Sequence, residues 1–258
     1  GSERVEQRSG GLAMALKSVA DGVFAETHGS WPPRVVALHG WGRRGADFAA
    51  VLDGLDAIAV DLPGFGASPA PASSTGARGY AEILEDLIRG LPEPPVLVGH
   101  SFGGRVAVCL AASVPVKGLV LTGVPLIRSG ISRRPALVFR ALRWANRRGL
   151  VSDDRMERER RRRGSNDYRA ATGVMREVLV TAVNESYEAE LAQISAPVAL
   201  VWGAADTEVD PEVARAAMAI LDGRGVPVVL VVLDDVGHLV PTQTPSDLRR
   251  AIDGMLDR

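Results

Sequence analysis

Short apolar runs, each bounded by glycine, proline or polar residues, recur along the chain. Consecutive apolar residues without alternation are typical of strands that are covered on both faces. The runs lie at residues 35–38, 57–60, 96–98, 119–121, 198–201 and 228–233. Before them, residues 12–30 alternate roughly between apolar and polar positions on both sides of Asp21-Gly22. This pair suits a tight turn, so the segment is predicted to form a β-hairpin.

Segments with helical periodicity lie between the apolar runs. They cover residues 45–54, 78–90, 102–113, 211–222 and 245–257. Regular alternation of strand and helix predicts an α/β fold with a doubly wound, mostly parallel sheet. Ligands of such sheets bind beyond the carboxyl ends of the strands, so we expect catalytic residues directly after strands.

The interval 124–194 breaks this alternation, because it contains arginine-rich helical segments and no convincing strand. A long insertion in a compact domain is usually functional. We therefore predict a helical cap at 124–194, inserted into a core domain formed by 12–123 and 195–258. A cluster of arginines lies within it: Arg155, Arg158, Arg160, Arg161, Arg162 and Arg163. These arginines either attract an anionic substrate or, as we favour, form a solvated helix face with neighbouring glutamates.

The candidate nucleophile is Ser101, in the sequence Gly99-His100-Ser101-Phe102-Gly103-Gly104. This sequence lies between a predicted strand and a predicted helix, and so sharp a turn strains the serine backbone. Glycines two positions before and after the serine provide the necessary room. The amide of Phe102, at the helix N-terminus, is a suitable donor to the anionic oxygen of a tetrahedral intermediate.

A serine hydroxyl becomes a good nucleophile only when a base takes its proton, and the usual base is histidine. His28 lies in the hairpin, His39 lies in a glycine-rich loop, and His100 is expected to point away from the serine. His238, just past the last predicted strand, is therefore the expected base. Its partner carboxylate is expected to be Asp206, which follows the strand at 198–201. Four competitors remain open: Glu208, Asp210, Asp234 and Asp235.

The loop His39-Gly40-Trp41-Gly42 follows the first central strand and is expected to supply a second oxyanion donor, the amide of Trp41. The expected substrate contacts are His39, Gly40, His100, Leu142, Met175 and Leu239. Cys109 lies on an apolar helix and is expected in the core. Residue spacing indicates no metal site, and a Ser-His-Asp triad needs neither metal nor cofactor.

Composition narrows the class of partner. The chain has 258 residues, a formal net charge of -1 and 46% hydrophobic residues, as expected of one soluble domain with an insertion. Without a surplus of Lys and Arg, neither nucleic acid nor an anionic membrane is an expected partner. We expect a small-molecule acyl substrate and a monomer or homodimer. The single cysteine excludes an internal disulfide and favours a reducing compartment, the cytoplasm.

No targeting segment is predicted near the N-terminus. Asp21 and Glu26 interrupt the only apolar candidate, so we expect neither a signal peptide nor a membrane span. Gly1-Ser2 is typical of a cleaved expression tag, so the removal of a native leader sequence stays an open alternative.

The motifs together resemble the α/β-hydrolase superfamily, specifically its lipase- and esterase-like serine branch, from about Leu12 to the C-terminus. They are residues 38–42, 61–68, 98–104, 202–206 and Gly237-His238, with the triad in the order Ser, Asp, His. The resemblance implies that His39 braces the oxyanion loop and that residues 61–68 form a structured turn beside the site. Two residues depart from the pattern of the superfamily. Many members have a proline at the position of Asp210, and an aromatic or small residue at the position of Leu239.

The resemblance implies a serine hydrolase that cleaves a carboxylic ester or related acyl bond through an acyl-enzyme on Ser101. Thioester hydrolysis, carbon–carbon bond hydrolysis and acyl transfer are the alternatives among enzymes. A ligand-binding protein that uses the same pocket without turnover is the alternative from another class.

Overall fold

An eight-stranded sheet lies at the centre of the protein. The structure is a computed structural model and describes residues 15–127, 148, 152 and 166–258. The strands are β1 (Ala15–Ala20), β2 (Val23–His28), β3 (Val35–Leu38), β4 (Ala57–Asp61), β5 (Val96–His100), β6 (Gly118–Thr122), β7 (Val198–Gly203) and β8 (Val228–Leu233). Their order across the sheet is β1-β2-β4-β3-β5-β6-β7-β8. The β1–β2 and β2–β4 pairs are antiparallel and the other pairs are parallel.

The predicted strands and hairpin are confirmed, with one difference in burial. Every residue of β3, β4, β5, β6 and β7 is buried, as continuous apolar runs require of strands covered on both faces. The run that forms β8 has the same composition but lies at the sheet edge, where Val229 is 44% and Val231 40% exposed. An apolar run alone does not distinguish an edge strand from a central one.

Helices cover both faces of the sheet, as predicted for a doubly wound fold. In chain order they are a 3₁₀ helix (Gly45–Phe48), α1 (Ala49–Leu52), α2 (Ala77–Arg89), α3 (Ser101–Ser113), α4 (Asn166–Ala170), α5 (Gly173–Asn184), α6 (Glu188–Leu191), α7 (Pro211–Asp222), α8 (Val240–Gln243) and α9 (Pro245–Leu256). Residues of α2, α3, α5 and α7 pack on one face of the sheet, and residues of α1, α8 and α9 pack on the other. The predicted helices at 45–54, 78–90, 102–113, 211–222 and 245–257 all occur, within three residues of their predicted bounds.

The predicted cap region contributes α4, α5 and α6 in its described part. Polar contacts attach α5 and α6 to the core: Arg105 of α3 donates to the carbonyl of Ala182, and Arg78 of α2 forms ion pairs with Glu185 and Glu190. Leu142 and the predicted arginine cluster lie outside the described residues. The division into a core and a cap at 124–194 stays a prediction.

No helix in the described ranges is both long enough and apolar enough to cross a membrane. Cys109 is buried in α3, as predicted.

Close packing of β5 against α3 fixes the position of the strand-to-helix turn. A Cβ added to Gly99 would overlap the Cα of Gly104 and would lie 3.0 Å from the Cβ of Ala107. A Cβ on Gly103 would overlap the carbonyl group of Leu38, at the end of β3, and that of His39, in the loop that follows. These two glycines are therefore required by space rather than by backbone conformation.

Replacing Gly99 with alanine is expected to lower the free energy of unfolding by about 1–3 kcal/mol, because the added methyl group overpacks the β5–α3 contact. Urea denaturation measures the change. Gly254→Ala in α9 is the matched control, because a Cβ there meets nothing within 4 Å. That variant is expected to gain about 0.5–1 kcal/mol from helix propensity. Equal effects of the two substitutions would contradict the packing argument.

Candidate active site

Ser101 is held in a left-handed backbone conformation at the turn between β5 and α3. Its φ is 49°, and Asp235 is the only other non-glycine residue with positive φ in the described part of the chain. Such a conformation costs about 1–3 kcal/mol and persists only where the surroundings enforce it. The amide of Gly103 donates to the carbonyl of His39 at 3.0 Å and joins the turn to the loop after β3. The structure thus has the strained turn that the glycine spacing predicts.

Asp206 lies in the loop after β7 and is the carboxylate that meets His238. Its Oδ2 accepts a hydrogen bond from Nδ1 of His238 at 2.8 Å. Its Oδ1 accepts from the amides of Glu208 and Val209, at 2.8 and 2.9 Å. Burial alone would raise the pKa of Asp206, but these hydrogen bonds outweigh it and the pKa is lowered. The carboxylate is therefore charged at neutral pH and bonded at both oxygens.

His238 lies in the loop after β8, with 9% of its side chain exposed. Burial alone would lower the pKa of His238. The hydrogen bond and charge of Asp206, with smaller contributions from Glu208 and Asp167, instead raise it above its ordinary value. The bond from Nδ1 to Asp206 fixes the tautomer of the neutral ring, so Nε2 is then the free acceptor.

The four competing carboxylates have other positions. Asp210 caps α7 by accepting from the amide of Glu212. Glu208 lies on the other side of the imidazole, with Oε2 3.6 Å from Nε2 of His238. Asp234 and Asp235 form no hydrogen bond with His238 among the described residues. Hydrogen bonding to Nδ1 therefore distinguishes Asp206 from all four.

Gly123 has a role at the site that sequence reasoning missed. It follows β6 with φ of 59°, and an added Cβ would lie 2.8 Å from Cε1 and 2.9 Å from Nδ1 of His238. Only glycine leaves room for the imidazole at this edge of the sheet. A glycine directly after a buried strand was the available signal.

His100 was expected to point away from Ser101, and the structure places its ring beside that of His238. Its Nε2 donates to the backbone carbonyl of His238 at 3.0 Å, and the two rings are 4.9 Å apart between centroids. Burial, with the nearby His238, lowers the pKa of His100 to about 3, so this ring is neutral at any ordinary pH. Because His100 adjoins Ser101 in sequence, this bond ties the His238 loop to the serine turn.

His39 connects the loop after β3 to the end of β4. Its Nδ1 donates to the carbonyl of Gly40 at 2.8 Å, and its Nε2 accepts from the amide of Leu62 at 3.0 Å. The ring is fully buried, and burial lowers its pKa. His39 and His100 were both expected to contact substrate directly. Both rings are buried and bonded to backbone, and their contact with substrate stays a prediction.

The loop at Gly40 and Trp41 lies against the serine. A Cβ on Gly40 would be 3.3 Å from the Cβ of Ser101 and 2.7 Å from Nδ1 of His100. Glycine at this position thus allows the loop to approach the serine. Among the described residues, neither the amide of Trp41 nor that of Phe102 has a hydrogen-bond partner. Their role as oxyanion donors to a substrate stays a prediction.

Aromatic rings form one wall beside the serine. The ring of Trp41 meets Phe65 and Phe102 edge to face, with centroids 5.0 and 5.4 Å apart, and Tyr80 meets Phe102 at 5.1 Å. Phe65 belongs to the turn at 61–68. Asp61 holds that turn by accepting hydrogen bonds from the amides of Gly45 and Ala67.

Met175 and Leu239 are the other expected substrate contacts that the structure describes. Met175 of α5 packs against Gly64 of the turn at 61–68, with its sulfur 3.9 Å from the hydroxyl of Tyr80. Leu239 follows His238 directly and is half-buried. Contact of either side chain with substrate stays a prediction. In the described ranges, no group of three or more His, Cys, Asp or Glu side chains could hold a metal ion.

Residues 35–251 match the model of the alpha/beta hydrolase family. The chain belongs to this family. The matched range contains the serine turn, Asp206 and His238, so the family comparison and the geometry concern the same part of the chain.

Two curated relatives of this alpha/beta hydrolase are esterases. The pimeloyl-[acyl-carrier protein] methyl ester esterase of Chromobacterium violaceum is 43% identical over 106 residues, which are 38% of this chain and 39% of that protein. Esterase Rv0045c of Mycobacterium tuberculosis is 34% identical over 166 residues, which are 61% of this chain and 53% of that protein. The matched segments thus span about two fifths to one half of these relatives.

Solved structures share the fold over most of the chain. The crystal structure of Esterase Rv0045c superposes with a TM-score of 0.65 at 25% identity, over 95% of this chain and 91% of that one. The thioesterase domain from the curacin biosynthetic pathway gives a TM-score of 0.67 at 21% identity, over 93% of this chain and 99% of that one. At 21% identity, the similarity to the thioesterase domain shows only that the fold is shared.

The pKa values of the two neighbouring histidines are expected to be shifted in opposite directions from the ordinary histidine value. His238 is expected to have a pKa above 6.5, while His100 stays neutral down to about pH 3. Asp206→Asn removes the charge that stabilises the imidazolium and is expected to lower the pKa of His238. NMR titration of the imidazole carbon-bound protons measures both values. Asp222→Asn, which removes an exposed charge at the end of α7, is the control; an equal shift in both variants would contradict the assignment.

Proposed function

We propose that this alpha/beta hydrolase is a serine hydrolase that cleaves a carboxylic ester through an acyl-enzyme on Ser101. The observation that carries the proposal is the 2.8 Å hydrogen bond between Asp206 and Nδ1 of His238. Through His100, that pair is joined to a serine with φ of 49°. The esterase names of the two curated relatives support the choice of an ester as substrate.

Acylation begins with proton transfer from the Ser101 hydroxyl to Nε2 of His238. The serine oxygen attacks the ester carbonyl, and Asp206 stabilises the imidazolium that forms. The amides of Trp41 and Phe102 donate to the carbonyl oxygen as it becomes negatively charged. One such donor contributes about 3–4 kcal/mol to transition-state stabilisation.

Collapse of the tetrahedral intermediate breaks the bond to the alcohol oxygen, which takes the proton from Nε2 of His238. Water then gives a proton to the same nitrogen and attacks the acyl carbonyl, and Ser101 is released with the proton that His238 returns. His238 therefore acts as base and then as acid in each half of the reaction. A pKa raised toward neutral pH suits both roles.

Ser101→Ala is expected to lower kcat/KM for p-nitrophenyl butyrate by at least about 10³-fold, because no other group supplies the nucleophile. An active-site-directed phosphonate probe, with mass spectrometry of the labelled peptide, is expected to modify Ser101. Ser113→Ala, the same change at the far end of α3, is the control and should keep both properties.

Labelling of another residue, or equal rates for Ser101→Ala and wild type, would count against the acyl-enzyme. A protein that only binds ligands in this pocket would give no turnover and no label, while Ser101→Ala would keep the affinity. Comparison of p-nitrophenyl esters with acyl-CoA substrates distinguishes an esterase from a thioesterase.

The pH dependence of kcat/KM is expected to follow the ionisation of His238 in the free protein. Only the neutral imidazole accepts the serine proton, so activity falls as pH drops through the raised pKa. The midpoint of the acid limb is therefore expected above pH 6.5, with about a tenfold loss for each further pH unit. Stopped assays in constant-ionic-strength buffers measure this limb. A midpoint below the ordinary histidine value would contradict the charge environment described for His238.

A further inference from the structure

Glu208 places a second carboxylate beside the catalytic edge of His238. Its Oε2 lies 3.6 Å from Nε2, the nitrogen opposite the one bonded to Asp206. Hydrogen bonds from the amides of Glu208 and Val209 to Asp206 fix the local backbone. The side chain is 67% exposed, whereas that of Asp206 is 1% exposed. A molecule entering the site therefore meets Glu208 and not Asp206.

The position of Nε2 decides which part of a substrate lies near Glu208. In the proposed reaction, this nitrogen protonates the oxygen of the departing alcohol. The groups beside Nε2 consequently face the alcohol side of an ester, while the amides of Trp41 and Phe102 face its carbonyl oxygen. Glu208 is a contact for the leaving group rather than for the acyl chain.

A second acidic residue, Asp167, belongs to the predicted cap region. Asp167, in the first turn of α4, is exposed and interacts electrostatically with His238. Of the other groups around the two imidazoles, Asp206 is buried and Arg43 forms an ion pair with Asp47. No lysine or arginine of the described ranges forms an ion pair with Glu208 or Asp167. While His238 is neutral, the charge of Glu208 is therefore not paired with a cation of the described residues.

We propose that Glu208 selects esters whose alcohol carries a positive charge, such as a quaternary or protonated amino alcohol. The inference rests on the proposed function and specifies its leaving group. A cation two carbons from the ester oxygen would lie close to Glu208 when that oxygen lies at Nε2. An anionic alcohol would be repelled. Both effects should weaken in salt, because exposed charges are screened.

The test compares two esters of the same shape and different charge, butyrylcholine and 3,3-dimethylbutyl butyrate. The second replaces the quaternary nitrogen with carbon, so the ratio of their kcat/KM values isolates the charge. We expect wild type to favour butyrylcholine and Glu208→Gln to reduce the ratio about two- to fivefold, as expected for an exposed ion pair. High salt should move the wild-type ratio toward that of Glu208→Gln.

Glu212→Gln is the matched control, since it removes an exposed carboxylate from α7 that pairs with Arg215. Its ratio should equal that of wild type. The inference is overturned if wild type shows no preference for butyrylcholine, or if Glu208→Gln leaves the ratio unchanged while 3,3-dimethylbutyl butyrate is still hydrolysed in a Ser101-dependent way. A preference for the anionic 2-sulfoethyl butyrate would also overturn it and would favour the arginine-rich segment as a substrate contact.

A different result would show that the proposed esterase function, rather than the leaving-group inference, is wrong. If wild type hydrolyses none of these esters, the esterase assignment is contradicted. The leaving-group inference is then decided by binding, with choline and 3,3-dimethylbutanol titrated against the NMR signal of His238. Choline binding that is tighter than that of the neutral alcohol and weakened in Glu208→Gln supports the recognition of a cation; equal binding overturns it.

Discussion

The left-handed backbone of Ser101 is the constraint on which the rest of the site depends. A residue with a Cβ holds φ of 49° only when its neighbours leave no relaxed alternative. Here the neighbours are packed backbone: Gly99 lies against Gly104, and Gly103 lies against the carbonyl groups after β3. Because α3 cannot move away from the sheet without losing these contacts, the serine stays at the sheet edge. The amide of Phe102 is held beside it for the same reason.

Three histidines meet at this edge, and their surroundings give each a different state. His39 and His100 are buried without a carboxylate partner, so desolvation keeps both neutral, and each connects two loops through hydrogen bonds to backbone. His238 is also largely buried, but its contact with Asp206 reverses the sign of the pKa shift. His39 and His100 thus hold loops together as neutral rings, whereas His238 is a group that can exchange a proton near neutral pH.

Asp206 and Glu208, two carboxylates separated by one residue, differ in burial and in the nitrogen of His238 that they approach. Asp206 is buried and bonded at both oxygens, so its charge is used within the protein to orient His238. Glu208 is exposed and lies at the opposite ring nitrogen, so its charge faces whatever enters the site. The turn after β7 presents the two side chains to different edges of the imidazole. A short loop therefore supplies both the carboxylate that orients the His238 ring and an exposed charge beside the opposite ring nitrogen.

The sequence by itself determined the alternation of strands and helices and the strained serine turn, because these follow from local periodicity and glycine spacing. It indicated His238 as the candidate base by its position just past the last strand. The sequence limited the candidate partners of His238 to five carboxylates and favoured Asp206. The hydrogen bond between Asp206 and His238 joins the loops after β7 and β8, and local spacing does not encode the direction of a side chain. Only the tertiary structure decided that His100 bonds to the His238 loop, that Gly123 makes room for the ring and that Glu208 reaches Nε2. Each of these contacts joins segments that are distant along the chain and that the parallel sheet brings to one edge.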